Sequence, residues 1–122
     1  MINATDSKKT NYILNQKSGI PLVLIHGVGL NYTIFDPQID AFDNTVLAYD
    51  ILGHGKTPLQ KENISFDDFS AQLIDLINEL RLEKIHLLCF SIGSLIARNF
   101  ATRFSERLKS LTLLCSIYKR SP

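Results

Sequence analysis

The hydrophobic residues of this chain fall into short apolar runs, separated by longer stretches with helical spacing. The runs cover residues 22–26, 45–49, 85–90 and 108–115, with a weaker run at 12–15. A short apolar run that shows little polar alternation and stops at Gly or a polar residue is typical of a strand buried on both faces. The first four runs therefore predict strands buried on both faces, and the last predicts an outer strand.

The stretches between these runs carry apolar residues at helical spacing. Ser65 can cap a helix, with Asp68 three residues further on, and an apolar stripe follows it. The stripe consists of Phe69, Leu73, Leu76, Ile77 and Leu80. We predict further helices over about residues 91–104 and 33–42. Strands that alternate with helices predict an α/β fold with a mostly parallel sheet covered on both sides.

Length and charge limit what this fold can be. The chain has 122 residues, of which 45% are hydrophobic, which is enough for one domain with a core and too little for two ordinary domains. We treat residues 1–122 as one domain in which residues 1–11 are expected to be flexible. Thirteen basic and twelve acidic side chains give a net charge of +1, and the basic residues are scattered. Nucleic acid is therefore not an expected partner.

The sequence carries no signal for secretion, membrane insertion or metal binding. Its N-terminal segment is polar, unlike a signal peptide, and no apolar run approaches the roughly 18 residues that span a bilayer. The two cysteines, Cys89 and Cys115, lie in apolar runs, which favours reduced thiols over a disulfide. The histidines, His26, His54 and His86, are far apart and lack the spacing of zinc ligands. We expect a cytoplasmic protein with no membrane contact, no metal and no cofactor.

A strand that runs into a serine and then into a helix is the segment that indicates chemistry. The strand at 85–90 is followed by Ser91, Ile92 and Gly93, where the helical spacing begins. Strand, sharp turn, serine and helix make a nucleophile elbow, which lifts the hydroxyl to the carboxyl edge of the sheet. The helix N-terminus behind the serine favours developing negative charge, and the N–H of Ile92 then points at an oxyanion.

The elbow departs from the usual Gly-x-Ser-x-Gly pattern at one position. Cys89 stands where the first glycine is expected, which gives Cys-Phe-Ser-Ile-Gly. A tight elbow needs small side chains two residues before and after the serine, and cysteine meets that need less well than glycine. Ser91 could instead merely cap the helix that follows it, so this segment alone leaves both interpretations open.

A glycine-rich turn after an earlier strand supports the catalytic interpretation. That strand ends in His26, Gly27, Val28 and Gly29. The N–H of Val28 can converge with that of Ile92, and two such donors form an oxyanion hole. Losing one donor of this kind typically costs about 3 kcal/mol of transition-state stabilisation. An ordinary connection from strand to helix is the alternative.

A third motif, Asp-Ile-Leu-Gly-His-Gly-Lys-Thr at residues 50–57, directly follows the strand at 45–49. With the three motifs in this order, the chain resembles the α/β-hydrolase superfamily, in its branch of small esterases and lactonases. The resemblance covers about residues 12–116. It implies that the segment 50–57 is mainly structural, although Leu52 stands where arginine is common, and that His54 fixes a loop.

The resemblance also implies a reaction. Ser91 attacks the carbonyl of a carboxylic ester or lactone and forms an acyl-enzyme, while the N–H groups of Val28 and Ile92 hold the oxyanion. The other matched positions have structural roles, and they are His26, Gly27, Gly29, Cys89 and Gly93. His86, at the start of the elbow strand, lies at the opposite end of the sheet from the serine.

The same resemblance predicts that the catalytic triad is incomplete in this chain. In the family, the acid and the histidine follow the serine, on loops after later strands. Residues 116–122 contain no carboxylate, so we expect the acid, the histidine, the last strands and the lid to lie outside this chain, which would be inactive alone. An early-stopping gene model, half of a split enzyme and a vestigial protein remain open. Residues 111–115 would form an uncovered sheet edge, and we expect self-association there.

Two other functions are compatible with the same fold. A lyase or cofactor-free peroxidase could use it, since one fold hosts many chemistries and the site decides between them. A non-catalytic or vestigial protein could keep the pocket without a working triad, because Ser91 without a base is a weak nucleophile near neutral pH. The motifs indicate a reaction type and leave the substrate open.

Overall fold

The computed structural model describes residues 1–91 and 93–114. Its six strands are β1 (Ile2–Thr5), β2 (Asn11–Asn15), β3 (Ser18–Ile25), β4 (Asn44–Tyr49), β5 (Ile85–Phe90) and β6 (Leu108–Leu114). They form one sheet in the order β1-β2-β4-β3-β5-β6. The strands β4, β3, β5 and β6 run parallel, whereas β1 and β2 pair antiparallel with their neighbours. The sheet is therefore mostly parallel, as predicted.

Three α-helices connect the strands, namely α1 (Asp36–Ile39), α2 (Phe66–Glu79) and α3 (Gly93–Arg103). The side chains of α2 and α3 pack on one face of the sheet, where Leu73, Leu76 and Phe100 are fully buried. On the other face, Ile39 of α1 and Phe35, which directly precedes α1, pack against the sheet. Helices therefore lie on both faces of the sheet, and β4, which is buried along most of its length, is apolar without alternation.

The structure differs from the predicted helix at 33–42. A 3₁₀ turn spans Tyr32–Phe35, and α1 then ends after one turn at Ile39. Pro37 lies in the first turn of α1, and proline fits there because it has no N–H to donate to an earlier residue. One continuous helix over the predicted range is therefore wrong.

The sequence pattern predicts no element before Tyr12, and the structure has β1 there. Ile2 pairs with Leu14, and Thr5 pairs with Asn11. Four exposed or half-buried residues give too short and too polar a run for periodicity to detect. No helix in the described part of the chain is long and apolar enough to cross a lipid bilayer.

The start of α2 has the cap that the sequence predicts. The Ser65 hydroxyl accepts the N–H of Asp68 at 3.3 Å, and the Asp68 carboxylate accepts the N–H of Ser65 at 2.9 Å. This reciprocal pair is a capping box. The bond from the Ser65 backbone, followed by the Lys61 side chain, lowers the pKa of Asp68.

Replacing the capping serine tests this account of how α2 begins. We expect Ser65→Ala to lower the free energy of unfolding by about 1 kcal/mol, because one first-turn N–H loses its acceptor. Urea unfolding at a fixed protein concentration measures the change. Ser105→Ala is the matched control, since Ser105 is an exposed serine with no capping bond. Equal stability of the two variants would contradict the capping role.

Candidate active site

Three loops of the chain meet at the carboxyl end of the parallel strands. Ile25 of β3 pairs with Tyr49 of β4 on one side and with Cys89 of β5 on the other. The turns that follow these three strands are therefore neighbours. They contain the three motifs that the sequence singles out, so strand pairing brings together segments that are far apart in the chain.

Ser91 lies in the turn between β5 and α3 with a left-handed backbone. Its φ is +57°, a conformation that costs a non-glycine residue about 1 to 3 kcal/mol. Its N–H donates to the carbonyl of Leu114, and its carbonyl accepts the N–H of Ser94, both at 3.0 Å. The residue is half-buried at the sheet edge. This is the backbone that a sharp turn from strand to helix requires.

Two other non-glycine residues share this conformation, and both have ordinary explanations. Lys9 has a φ of +71° in the turn between β1 and β2, and Arg81 has a φ of +60° directly after the α2 cap. Left-handed residues are common in tight turns and after helix ends. Ser91 differs from both because it opens a helix instead of closing an element.

Glycines allow the serine turn to approach the turn after β3. A Cβ atom at Gly93 would lie 2.8 Å from the carbonyl oxygen of His26, and one at Gly27 would lie 3.2 Å from the Cβ of Ser91. Contact as short as the first would push the backbones apart. Gly29 has open space around it and a φ of +81°, so its backbone conformation is what favours glycine there.

Cys89 faces away from the serine turn, into the core between the sheet, α2 and α3. It is fully buried, and burial raises the pKa of its thiol. A neutral buried thiol is unreactive and packs as a small apolar group. Cys115, the other cysteine, lies outside the described residues.

One of the two predicted oxyanion donors is described by the structure. Val28 lies in the turn after β3, and its N–H has no acceptor within residues 1–91 and 93–114. Ile92, the other predicted donor, lies outside the described residues. The close approach of Gly27 to Ser91 places the turn that carries Val28 beside the serine.

His26 ties the turn after β3 to the loop after β4. Its Nε2 accepts the N–H of Ile51 at 3.1 Å, so Nδ1 carries the proton and donates to the carbonyl of Gly27 at 2.7 Å. The ring is fully buried, and burial lowers the pKa of its imidazole. Both ring nitrogens are engaged, which suits a structural role better than proton transfer.

The other two histidines make hydrogen bonds to groups other than Ser91. Nδ1 of His54 lies 2.9 Å from the carbonyl of Leu52. His86 bonds Ser110 at 2.6 Å near the start of β5, five residues and about 16 Å of extended strand before Ser91. Within the described chain, no histidine is hydrogen-bonded to Ser91.

Asp50 is the centre of the loop after β4. It is 1% exposed, and its carboxylate accepts from the Asn11 side chain and the N–H groups of Tyr32 and Lys56, each at 2.9 Å. A side chain at Gly55 would collide with this carboxylate. Three donors compensate for burying the charge. The sequence motif predicts a structural segment here, but it does not indicate that Asp50 bonds these three residues.

Gln72 is a buried polar residue that no sequence motif singles out. Its Nε2 donates to the Asp50 carbonyl at 3.0 Å and to the Thr10 hydroxyl at 3.1 Å, and its Oε1 accepts the N–H of Leu52 at 3.0 Å. The available signal is its place beside the apolar stripe of α2. A glutamine there must find buried partners.

Comparison with known proteins agrees with this architecture. A model of the alpha/beta hydrolase fold matches residues 20–122. The chain is 32% identical over 117 residues to an (E)-2-((N-methylformamido)methylene)succinate hydrolase of Acinetobacter baylyi, covering 94% of this chain and 44% of that protein. It is 36% identical over 98 residues to an uncharacterized carboxylesterase of Bacillus subtilis, covering 77% and 32% of the two chains.

A solved structure shows the same likeness. A meta-cleavage product hydrolase from Pseudomonas fluorescens matches with a TM-score of 0.84 at 30% identity, over 93% of this chain and 43% of that chain. The chain therefore spans less than half the length of these relatives.

The buried imidazole of His26 predicts a pH dependence of stability. Because its pKa is lowered in the folded state, the unfolded chain takes up the proton first. Stability is therefore complete above the ordinary histidine pKa of about 6.5. It falls as the pH drops from there towards the lowered pKa, by at most about 1.4 kcal/mol per pH unit.

Urea unfolding between about pH 7.5 and 5, at a fixed protein concentration, measures this slope. We expect His26→Gln to be less stable and to lose the His26 part of the slope. His86→Gln is the control, since His86 lies at the opposite end of β5, and it should keep that part. A slope that survives His26→Gln unchanged would contradict the assignment.

Proposed function

Because this chain belongs to the alpha/beta hydrolase fold family, we propose that Ser91 is the nucleophile of a serine hydrolase acting on carboxylic esters or lactones. The observation that carries the proposal is the left-handed Ser91 at the junction of β5 and α3. Strain of this kind persists where the surroundings enforce it, and it is concentrated at functional sites. The names of the two relatives, a hydrolase and a carboxylesterase, support the same reaction class. Since the chain covers less than half of each, the activity proposed is that of the whole protein.

The proposed reaction has two steps. The Ser91 oxygen attacks the carbonyl carbon while a base takes its proton, and that proton then passes to the leaving alkoxide as its bond breaks. Water next attacks the acyl-enzyme, releasing the carboxylic acid and restoring the serine. In a lactone, the leaving alkoxide stays attached to the acyl group. The base and its acidic partner come from outside the described residues, because none of His26, His54 and His86 is hydrogen-bonded to Ser91 there.

The N–H groups of Val28 and Ile92 would hold the negative oxygen of the tetrahedral intermediate. Two observations support Val28: its N–H has no acceptor in the described chain, and its turn lies against Ser91. The structural positions, His26, Gly27, Gly29, Cys89 and Gly93, would keep the two turns at this separation. Preformed donors act at the oxyanion without reorganising during the reaction.

A non-catalytic role is the second candidate for the chain by itself. In the described structure, Ser91 has no hydrogen bond to a histidine that could activate it. An unactivated serine hydroxyl is a poor nucleophile near neutral pH. A fluorophosphonate probe separates the two candidates, because it modifies activated serines.

We expect the native protein that contains this chain to react with the probe and to hydrolyse p-nitrophenyl esters. Ser91→Ala should abolish labelling and lower turnover by at least about a thousandfold, because the nucleophile is lost. Ser94→Ala is the matched control: Ser94 lies three residues away, and its hydroxyl is buried without a partner in the described chain. This variant should keep both signals.

The intact mass of the native protein decides how the labelling result is interpreted. A native mass well above the 13.8 kDa of these residues would show that further chain is available to supply the base. Ester hydrolysis retained in Ser91→Ala would refute the nucleophile. An unlabelled native protein of about 13.8 kDa would favour the non-catalytic role.

Strand β6 carries a second part of the proposal, which is self-association of the 122-residue chain. In the described structure β6 pairs with β5 alone and forms the edge of the sheet. Leu111 is 36% exposed and Leu114 is 45% exposed. An open edge with apolar side chains is a template for pairing with another chain. We therefore propose that the isolated chain pairs with a second copy or aggregates through β6.

Sedimentation of the isolated chain at several concentrations tests this edge. We expect a concentration-dependent increase in mass that Leu111→Lys weakens, because a charge in an edge strand opposes pairing. Leu59→Lys is the control, since Leu59 is 53% exposed in a loop. A single monomer that unfolds cooperatively would contradict self-association. If Leu111→Lys and Leu59→Lys changed the sedimenting mass equally, β6 would not be the site of association.

A further inference from the structure

We propose that a second cleft, between α2 and the turn joining β1 to β2, binds a small amphiphilic monocarboxylate. We call it the hairpin cleft; residues 7–10 form one wall, and Ala71 and Gln72 of α2 form the other. Its volume is about 380 Å³, within the range of small-molecule sites. None of its lining residues belongs to the serine turn or the turn after β3.

The walls of the hairpin cleft are fixed by side-chain bonds. Lys8 forms an ion pair with Asp75 at 3.0 Å across the two walls, and the Gln60 side chain donates to the Lys8 carbonyl at 2.8 Å. Deeper in, Gln72 donates to the Thr10 hydroxyl at 3.1 Å. The buried bond between Gln72 and Thr10 joins the two walls without a ligand, whereas the Lys8–Asp75 pair, whose side chains are 67% and 38% exposed, contributes little.

The interior of the hairpin cleft is apolar on one side. Leu52, Ile64 and Ala71 line it, and Leu52 is only 8% exposed. These side chains come from the loop after β4, the segment before α2 and the first half of α2. Together they offer a surface for a short hydrocarbon chain.

The polar side of the hairpin cleft suits one negative charge. Thr10 is 2% exposed; its oxygen accepts from Gln72, and its own O–H has no acceptor among the described residues. Lys9 forms no ion pair among the described residues, whereas Lys61 is paired with Asp68 at 3.0 Å. Of the three lysines that line the cleft, Lys8 and Lys61 are paired with aspartates, so Lys9 is the one left to bind an anion. Two carboxylates behind the turn, Asp6 and Glu79, already accept from N–H groups of residues 7, 8 and 10. A carboxylate can accept from Thr10 and Lys9 together.

The hairpin cleft is joined to the candidate active site by Gln72. The same side chain bonds Thr10 in the cleft and both Asp50 and Leu52 in the loop after β4. Ile51, which lies between these two residues, donates its N–H to His26. A ligand in the cleft therefore stabilises the loop that holds the turn after β3.

Photolabelling with a diazirine-bearing octanoic acid tests the proposal on the whole chain. We expect saturable labelling of peptides that contain Leu52 or residues 64–71, mapped by mass spectrometry. Octanoate should compete, and octanol should compete at least about tenfold less well, because it lacks the charge that Lys9 would bind. Labelling centred on Phe90 and Leu114, equal competition by octanol, or labelling that does not saturate would each overturn the proposal.

Two variants make the test specific. Lys9→Asn removes the unpaired charge and suits the φ of +71° at this position, since asparagine tolerates left-handed backbone; we expect labelling affinity to fall about three- to fivefold. Ala71→Phe should block the cleft and abolish labelling. Lys84→Asn, at an exposed lysine outside the cleft, is the control and should label like the original chain.

The two variants test the proposal independently. If Ala71→Phe does not fold, Lys9→Asn still decides the matter, and unchanged labelling of Lys9→Asn would overturn the role of the charge. The experiment uses no chemistry at Ser91. Its outcome is therefore independent of the proposed hydrolase activity.

Discussion

The contact between Gly93 and the carbonyl oxygen of His26 sets the geometry of the candidate site. It lets the first turn of α3 rest against the end of β3, with a separation that a side chain at Gly93 would not permit. Parallel pairing of β3 with β5 brings the two turns side by side, and the glycines then close the remaining gap. The left-handed Ser91 lies between these two constraints, so its strain is held in place by the sheet and by α3 together.

Much of this arrangement can be predicted from sequence because local patterns of residues indicate it. The apolar runs indicate the parallel strands, Ser65 and Asp68 indicate the start of α2, and the serine between strand and helix indicates the turn. Cys89 shows why a departure from the glycine pattern is tolerated. Its side chain points into the core behind the turn, where a small apolar group is needed.

Other features depend on contacts between distant residues, and no local pattern encodes them. Asp50 receives donors from three separate segments, and Gln72 connects α2 to two loops. Strand β1 is defined by its pairing with β2 and hardly at all by its own residues. The range 33–42 has helical spacing, yet α1 begins only at Asp36, because Pro37 fits the first turn of a helix and not its interior. A local backbone rule therefore prevails over periodicity there.

The two faces of the sheet are covered unequally, and chain topology explains why. The crossovers from β4 to β5 and from β5 to β6 advance in one direction and place α2 and α3 on the same face, whereas the crossover from β3 to β4 runs the other way and places α1 opposite. The short α1 leaves a groove of about 580 Å³ whose lining includes Leu24, Phe90 and Leu114. A parallel strand added beyond β6 by a right-handed crossover would bring its helix to the face of α2 and α3. Such an extension of the sheet would leave the groove on the face of α1 uncovered.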